Sequence, residues 1–250
     1  MRRRDVLLVV LCLLIVWQIV AMVVRRVILP TPLAVLAAFW TALPGQLGGH
    51  FLASLYRVVA SIVISVALAA PAGLALGQSR RLNRFFSPLI YLLYPVPKVV
   101  FVPIVLLFFG VGDGAKILLI STILFFQILV LVRDSAAALR PELILSVRSL
   151  GAGRRALFRF IYLPASLPAI LTALRQSIGT AVALLYVAEL FATRKGLGYY
   201  IYLTGSTLFD YPAMYAGILA MSLLGLGLYF GVDLAQKRLC RWVTDPYGSG

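Results

Sequence analysis

The sequence predicts an all-α, polytopic membrane protein with about six transmembrane helices. Three observations carry that prediction. Of 250 residues, 62% are hydrophobic and only 12% charged, a mixture too apolar to pack as an ordinary soluble core. The apolar residues fall in separate runs of roughly 18 to 25, each about long enough to cross a hydrocarbon layer of about 30 Å. Charge, Gly or Pro bounds each run, as the ends of spans require.

Taken in order, spans are expected over residues 6–26, 53–77, 86–110, 115–133, 166–190 and 212–233. The first follows Arg2, Arg3 and Arg4 in the manner of a secretory signal. Its apolar run is long and lacks a small-residue cleavage site, so a retained helix is expected. Ahead of the second, Leu29 to His50 holds Pro30, Pro32 and Pro44 around a short apolar stretch ending at Trp40, which suggests a helix lying at the outer interface. Gly73 and Gly77 in the second span, like Gly227 and Gly231 in the sixth, permit close helix approach, a pattern that only weakly predicts dimerisation. Arg57 stands at the outer edge of the second span, where its stem can snorkel.

In the third span Pro95, Pro97 and Pro103 surround Lys98. Proline removes backbone donors, so either the helix breaks against protein or a wet cavity, or the residues before Pro97 lie at the inner interface with Lys98 among headgroups. Gln127 in the fourth span and Tyr186 in the fifth are polar groups that line a path or satisfy neighbouring helices. The fifth span also carries Arg175 and Glu189 with 13 residues between them, roughly 20 Å of helix, so at least one is expected inside the hydrocarbon. Glu189 serves there as a polar tie between helices or as part of a gate. The Gly- and Tyr-rich connection from Arg194 to Tyr211 is expected to dip into or lie along the headgroups.

Lys and Arg outnumber Asp and Glu by 23 to 8, yet no basic run is interleaved with aromatics on a soluble face, and nucleic acid is not an expected partner. The excess reads as topology. With the N-terminus inside, the cytoplasmic segments collect most of the arginines, from Arg2 to Arg241, and the outer ones only Arg25, Arg26, Lys116, Arg194 and Lys195. Both termini are therefore expected in the cytoplasm.

No chemistry of its own is apparent in the chain. Cys12 and Cys240 lie in different environments with no disulfide or metal spacing. There is no phosphate-binding G-x4-G-K-[ST] loop, and Gly110 to Lys116 lacks its spacing and hydroxyl residue. His50 is the one histidine, and no nucleophile stands with a partner. An enzyme is not expected.

The segment between the fourth and fifth spans, residues 134–165, fits neither a linker nor a span. Arg140, Arg148, Arg154, Arg155 and Arg159 recur there among Leu, Ile, Val and Phe. Leu143, Val147 and Leu150 fall at i, i+4 and i+7, so a short helix starting after Pro141 would show one apolar stripe to a partner. Gly151 and Gly153 allow the turn that ends it. An interfacial helix held on the inner leaflet by basic side chains has the same periodicity.

Gly151 followed by Ile161, Leu163 and Pro164 has the G-x9-I-x-L-P spacing of the cytoplasmic loop of ABC importer permeases. The resemblance covers most of the chain. Leu29-Pro30-Thr31-Pro32 with Val35-Leu36, Tyr94-Pro95-Val96-Pro97-Lys98, Phe109-Gly110-Val111-Gly112-Asp113, Leu167-Pro168-Ala169-Ile170-Leu171-Thr172, Val187-Ala188-Glu189-Leu190 and Gly196-Leu197-Gly198-Tyr199 resemble the nitrate, sulfonate and taurine branch of that family. Where the family loop carries Glu-Ala-Ala, this chain has Leu145, Ser146 and Val147. Docking by shape is therefore expected to outweigh an ionic contact.

The resemblance implies a type I ABC importer permease fold, one permease domain over residues 1–247 with a flexible tail at 248–250, and inward movement of a small anionic or polar solute by alternating access. It implies four kinds of partner: a second permease copy in a homodimer, two cytoplasmic ATPase subunits, a periplasmic or lipid-anchored solute-binding protein, and membrane lipid. ATP and Mg would be used on the ATPases, with no cofactor bound by this chain. Coupling to the ATPase would fall to Glu142, Leu143, Leu145, Ser146, Val147, Arg148, Leu150, Gly151 and Ala152, with Ile161, Leu163 and Pro164 as the anchor leading into the fifth span. Lys98, Gln127, Tyr186 and Glu189 would stand along the translocation path. The competing expectation is an ion-coupled secondary carrier in which Glu189 and Lys98 titrate as a pair.

Overall fold

The computed structural model describes residues 3–191 and 193–242; Arg2, the end of the expected permease domain and the expected tail at 248–250 lie outside them. The described residues fold as helices and turns. In chain order they are α1 (Arg3–Val24), α2 (Pro32–Ala42), α3 (Gly48–Gln78), α4 (Arg80–Leu93), α5 (Val102–Phe109), α6 (Asp113–Ala137), α7 (Pro141–Ser149), α8 (Arg154–Leu157), α9 (Leu163–Leu190), α10 (Leu197–Tyr202) and α11 (Tyr211–Leu239). Among the described residues five helical stretches are long and apolar enough to cross a bilayer, and a bent pair brings the number to as many as six.

That bent pair replaces the single span expected over 86–110. Helix α4 ends at Leu93, and the helical course resumes at Lys98 as a 3-10 turn running into α5, with a bend of 76°. Pro95 and Pro97 explain the break, because neither can donate a backbone hydrogen bond, so the helical ladder stops after Tyr94, which itself still keeps helical angles. The helix expected ahead of the second span is α2. Its start is set by Thr31, whose hydroxyl accepts from the Ala34 N–H, with Pro32 as the first helical residue.

Two compact units divide the chain. One contains the residues up to Tyr56 together with Tyr186–Leu224. In it Trp17 of α1 lies 6.0 Å from Tyr215 of α11, and Gly217 lets α11 approach the Tyr200 and Ile201 side chains of α10 so closely that an added Cβ would lie 2.8 Å from Ile201.

The other unit contains Arg57–Leu185 and the chain from Gly225 onward. Its seam is a period-four row of small residues on α3: Ser61, Ser65, Ala69, Gly73 and Gly77. Ser65 donates to the Ser121 carbonyl at 3.0 Å, and Ser121 donates back to the Ser61 carbonyl at 3.3 Å. A Cβ at Gly73 would stand 2.9 Å from the Leu129 carbonyl oxygen, and one at Gly77 would stand 2.6 Å from the Ala136 Cβ. Gly73 and Gly77 therefore serve packing of α3 on α6 within the chain.

Candidate functional site

The segment between α6 and α9 supplies the first candidate site. Helix α7 begins at Pro141, with Glu142 in its first turn and Arg148 in its last, the arrangement that complements a helix dipole. It ends at Ser149, just before the turn at Gly151. Gly151 takes φ = 82°, and its N–H bonds the Arg148 carbonyl at 2.9 Å while the Ala152 N–H reaches the Val147 carbonyl at 3.4 Å. That left-handed residue closes the helix, as a C-terminal glycine does.

The expected stripe of Leu143, Val147 and Leu150 is changed in one member. Leu143 and Leu150 are 51% and 84% exposed and Leu145 is 61% exposed, whereas Val147 is half-buried. The chain itself covers the Ile144 and Val147 side, so the outward apolar groups are Leu143, Leu145 and Leu150. Ser146 turns inward on its own helix and donates to the Glu142 carbonyl at 2.8 Å. Downstream, Ile161 is buried in the turn Phe158–Tyr162. Leu163 and Pro164 open α9.

The second candidate site is the set of charged and polar groups within the apolar helices. Lys98 stands at the break between α4 and α5. Its ammonium donates to the Leu93, Tyr94 and Val96 carbonyls at 2.9, 3.0 and 3.4 Å and lies 4.7 Å from the centre of the Phe126 ring. A cation there meets the carbonyls that the ending helix leaves without partners, and the aromatic face adds attraction. Beside it is an apolar cavity of about 370 Å³ lined by Val96, Phe101, Val105, Leu119 and Phe126. Gln127, one residue on, keeps a buried Oε1 with no hydrogen-bond partner among the described residues.

Glu189, near the C-terminus of α9, is fully buried. Its two carboxylate oxygens accept from the Ser54 hydroxyl of α3 at 2.9 and 2.8 Å, and one accepts from the Gly198 N–H at 2.9 Å. The same serine oxygen accepts from the Leu197 N–H at 2.8 Å, and His50 Nδ1 accepts from the Gly196 N–H at 2.9 Å. Three successive backbone N–H groups are thus held at the start of α10. Gly198 is required there, since a Cβ would meet the Tyr186 carbonyl at 2.8 Å. Tyr186 is itself half-buried. Burial, and then the nearby charge of Asp210, raises the Tyr200 phenol above its usual value, so it remains neutral.

Other charges are paired more deeply than the sequence indicates. Arg57 does not snorkel: it is 3% exposed, and its guanidinium meets Asp113 at 2.7 Å in the first turn of α6. Lys116, counted with the outer charges, is buried and donates to the Val111 carbonyl at 2.7 Å. Arg175 meets Asp233 of α11 at 2.8 Å, and Lys237 meets the same carboxylate at 2.7 Å. The sequence reading missed Ser54, Asp113 and Asp233 as partners. The one signal that could have pointed to the α3 seam is its period-four row of small residues. Among the described residues no group of His, Cys, Asp and Glu could hold a metal ion.

Residues 62–244 match the family described as binding-protein-dependent transport system inner membrane component. The chain is similar to the taurine transport system permease protein TauC of Escherichia coli (strain K12), 32% identical over 238 residues that make up 92% of this chain and 86% of that protein. It is similar also to the putative aliphatic sulfonates transport permease protein SsuC of Bacillus subtilis (strain 168), 29% identical over 93% of this chain and 85% of that protein. In fold it resembles a chain of the MetNI methionine ABC transporter in an inward-facing conformation, with a TM-score of 0.64 at 19% identity, covering 80% of this chain and 97% of that one. The chain therefore belongs to the family of binding-protein-dependent transport system inner membrane components: it is a multi-pass transmembrane permease subunit of an ABC importer, working with an ATPase and a solute-binding protein.

Proposed function

We propose that this permease pairs with a second copy of itself, receives one cytoplasmic ATPase subunit on each α7, and takes a small anionic or polar solute from a periplasmic or lipid-anchored binding protein. The single observation that supports the coupling role is α7 itself. It is a nine-residue helix that presents Leu143 and Leu145 to solvent, with Leu150 exposed just past its end, and is closed by a left-handed Gly151. Exposed leucines on a short helix have a use when a groove on a partner covers them. With Leu145, Ser146 and Val147 in place of Glu-Ala-Ala, the contact is mainly apolar. ATP and Mg²⁺ act on the ATPase, and this chain binds neither. Both termini and α7 lie in the cytoplasm, on the support of the arginine distribution.

Gln127 and Tyr186 are proposed to line the path, with Lys98 and Glu189 shaping its wall by holding the α4–α5 break and the start of α10. Names of similar proteins support the solute class: two are named for taurine and aliphatic sulfonates, and a permease of Chloroflexus aurantiacus, 30% identical over 86% of this chain and 80% of that protein, is named for riboflavin. The test is co-purification of the tagged chain with its ATPase, followed by uptake in proteoliposomes. A one-to-one ratio with ATP-dependent uptake is expected. Uptake by this chain alone on an ion gradient would instead establish the carrier mechanism. Labelling of a Ser149→Cys variant from the cytoplasmic side alone is the expected result for orientation.

A further inference from the structure

We propose that the junction of α3 and α4 holds one anionic phospholipid, its phosphate against Arg80, Arg81 and Arg148 and an acyl chain in the apolar groove beside them. Two adjoining cavities carry the inference. The first, of about 540 Å³, is lined by Arg80, Arg81, Arg148, Gln78, Ser79 and Tyr162 among others. The second, of about 340 Å³, is wholly apolar, with Leu76, Phe86, Leu89, Phe125 and Leu129 in its wall. Ala75 and Leu82 line both, so the rim of the basic cavity is also the rim of the apolar one.

Among the described residues no carboxylate offsets the charge there. Arg80 and Arg81 form the first turn of α4, which has no acidic residue in that turn. A helix N-terminus already carries positive potential and favours an anion, so two guanidiniums placed on it raise the attraction further. None of Arg80, Arg81 and Arg148 is paired with a carboxylate among the described residues. Gln78 adds a buried Nε2 donor without a hydrogen-bond partner among the described residues. Guanidiniums and an amide donor are the groups that grip phosphate oxygens.

The occupant must satisfy both halves. An acidic protein segment or a free phosphate would meet the arginines and leave the apolar groove empty, whereas a neutral lipid would fill the groove and leave the arginines unmet. A phosphate monoanion joined to acyl chains matches both, as basic pockets between spanning helices do for anionic headgroups. Arg148 belongs to α7, so an occupied site would tie the lipid to the coupling segment.

The test uses the importer assembly, permease with its ATPase, delipidated in neutral detergent. Phosphatidylglycerol or phosphatidylcholine with identical acyl chains is titrated in, and bound lipid per permease chain is counted by native mass spectrometry. One phosphatidylglycerol per chain is expected, at least about tenfold tighter than phosphatidylcholine. The Arg80→Gln, Arg81→Gln double variant should weaken phosphatidylglycerol about thirty-fold and phosphatidylcholine, whose choline cation offsets its phosphate, far less. Ala75→Phe, which fills the shared rim, should also weaken phosphatidylglycerol. Equal affinity of the two lipids on the unaltered chain overturns the proposal with no variant needed. So does an unaffected double variant, or full displacement by millimolar inorganic phosphate, which would mark a site for a free anion. Binding seen only after the ATPase is removed would assign the arginines to the protein contact and overturn it as well.

Discussion

The Ser54 hydroxyl lies 2.9 and 2.8 Å from the two carboxylate oxygens of Glu189, and its own oxygen accepts from the Leu197 N–H. One serine thus joins α3, the end of α9 and the start of α10. The carboxylate is buried, and a buried charge persists only where donors surround it.

Loosening that joint should be seen first in the backbone it holds. Hydrogen bonds to charged groups contribute about 1.5–3 kcal/mol each, so Glu189→Ala is expected to destabilise the subunit and to speed amide exchange over residues 196–202 before any other segment. Glu189→Gln keeps one carbonyl acceptor and should show a smaller effect in the same place. Exchange measured by mass spectrometry checks this. If exchange changes elsewhere while 196–202 stays protected, the joint does not hold α10.

Two pairs of glycines with the same spacing should behave oppositely. A Cβ at Gly77 would clash with the Arg133 carbonyl and the Ala136 side chain, and one at Gly73 with Leu129 and Val132. Backbone carbonyls in a packed helix cannot swing away. Gly73→Val or Gly77→Val is therefore expected to cost about 1–3 kcal/mol and to lower the thermal midpoint in detergent. At Gly227 and Gly231 an added Cβ meets nothing within 4 Å in this chain, so valine there should leave the midpoint of the isolated subunit unchanged.

The difference between these pairs shows where sequence reading runs out. Apolar runs and Pro95 with Pro97 made the spans and the region of the break legible, because both act locally on the backbone. Pairings were not legible, since Arg57 and Asp113 are 56 residues apart and Ser54 and Glu189 are 135 apart, and charge alone does not choose among distant partners. Arg57 could be read as snorkelling and Lys116 as an outer charge only because burial is a property of packing. The helix after Pro141 was visible in its periodicity, and its closing turn in Gly151. Which flank the rest of the chain covers was not visible, so Val147 was counted with the outward groups in place of Leu145.

Lys98 offers a test of what keeps the third span broken. Its ammonium serves three carbonyls at once, two part-buried and one exposed, and a hydrogen bond to a charged group contributes about 1.5–3 kcal/mol. Lys98→Met is expected to speed amide exchange across residues 94–101 by roughly five- to thirty-fold and to reduce uptake. Lys98→Arg, which keeps the charge and its donors, should recover much of both. Normal uptake and unchanged exchange in the methionine variant would remove Lys98 from the transport mechanism and from support of the break.

Gly151 separates a conformational requirement from a steric one. Its φ of 82° is left-handed, and a Cβ built there meets nothing within 4 Å, so space is not the constraint. A side chain other than Asn or Asp in that region costs about 1–2 kcal/mol, enough to shift how α7 ends and where Leu150 points. Gly151→Val is expected to insert normally yet lose stimulation of ATP hydrolysis by the binding protein, together with uptake. Gly151→Asn, which tolerates the left-handed region, should retain most of both. Equal losses in the two variants would show that the site responds to bulk against the ATPase and not to the turn. Full coupled transport in the valine variant would mean that α7 transmits motion without needing this closure.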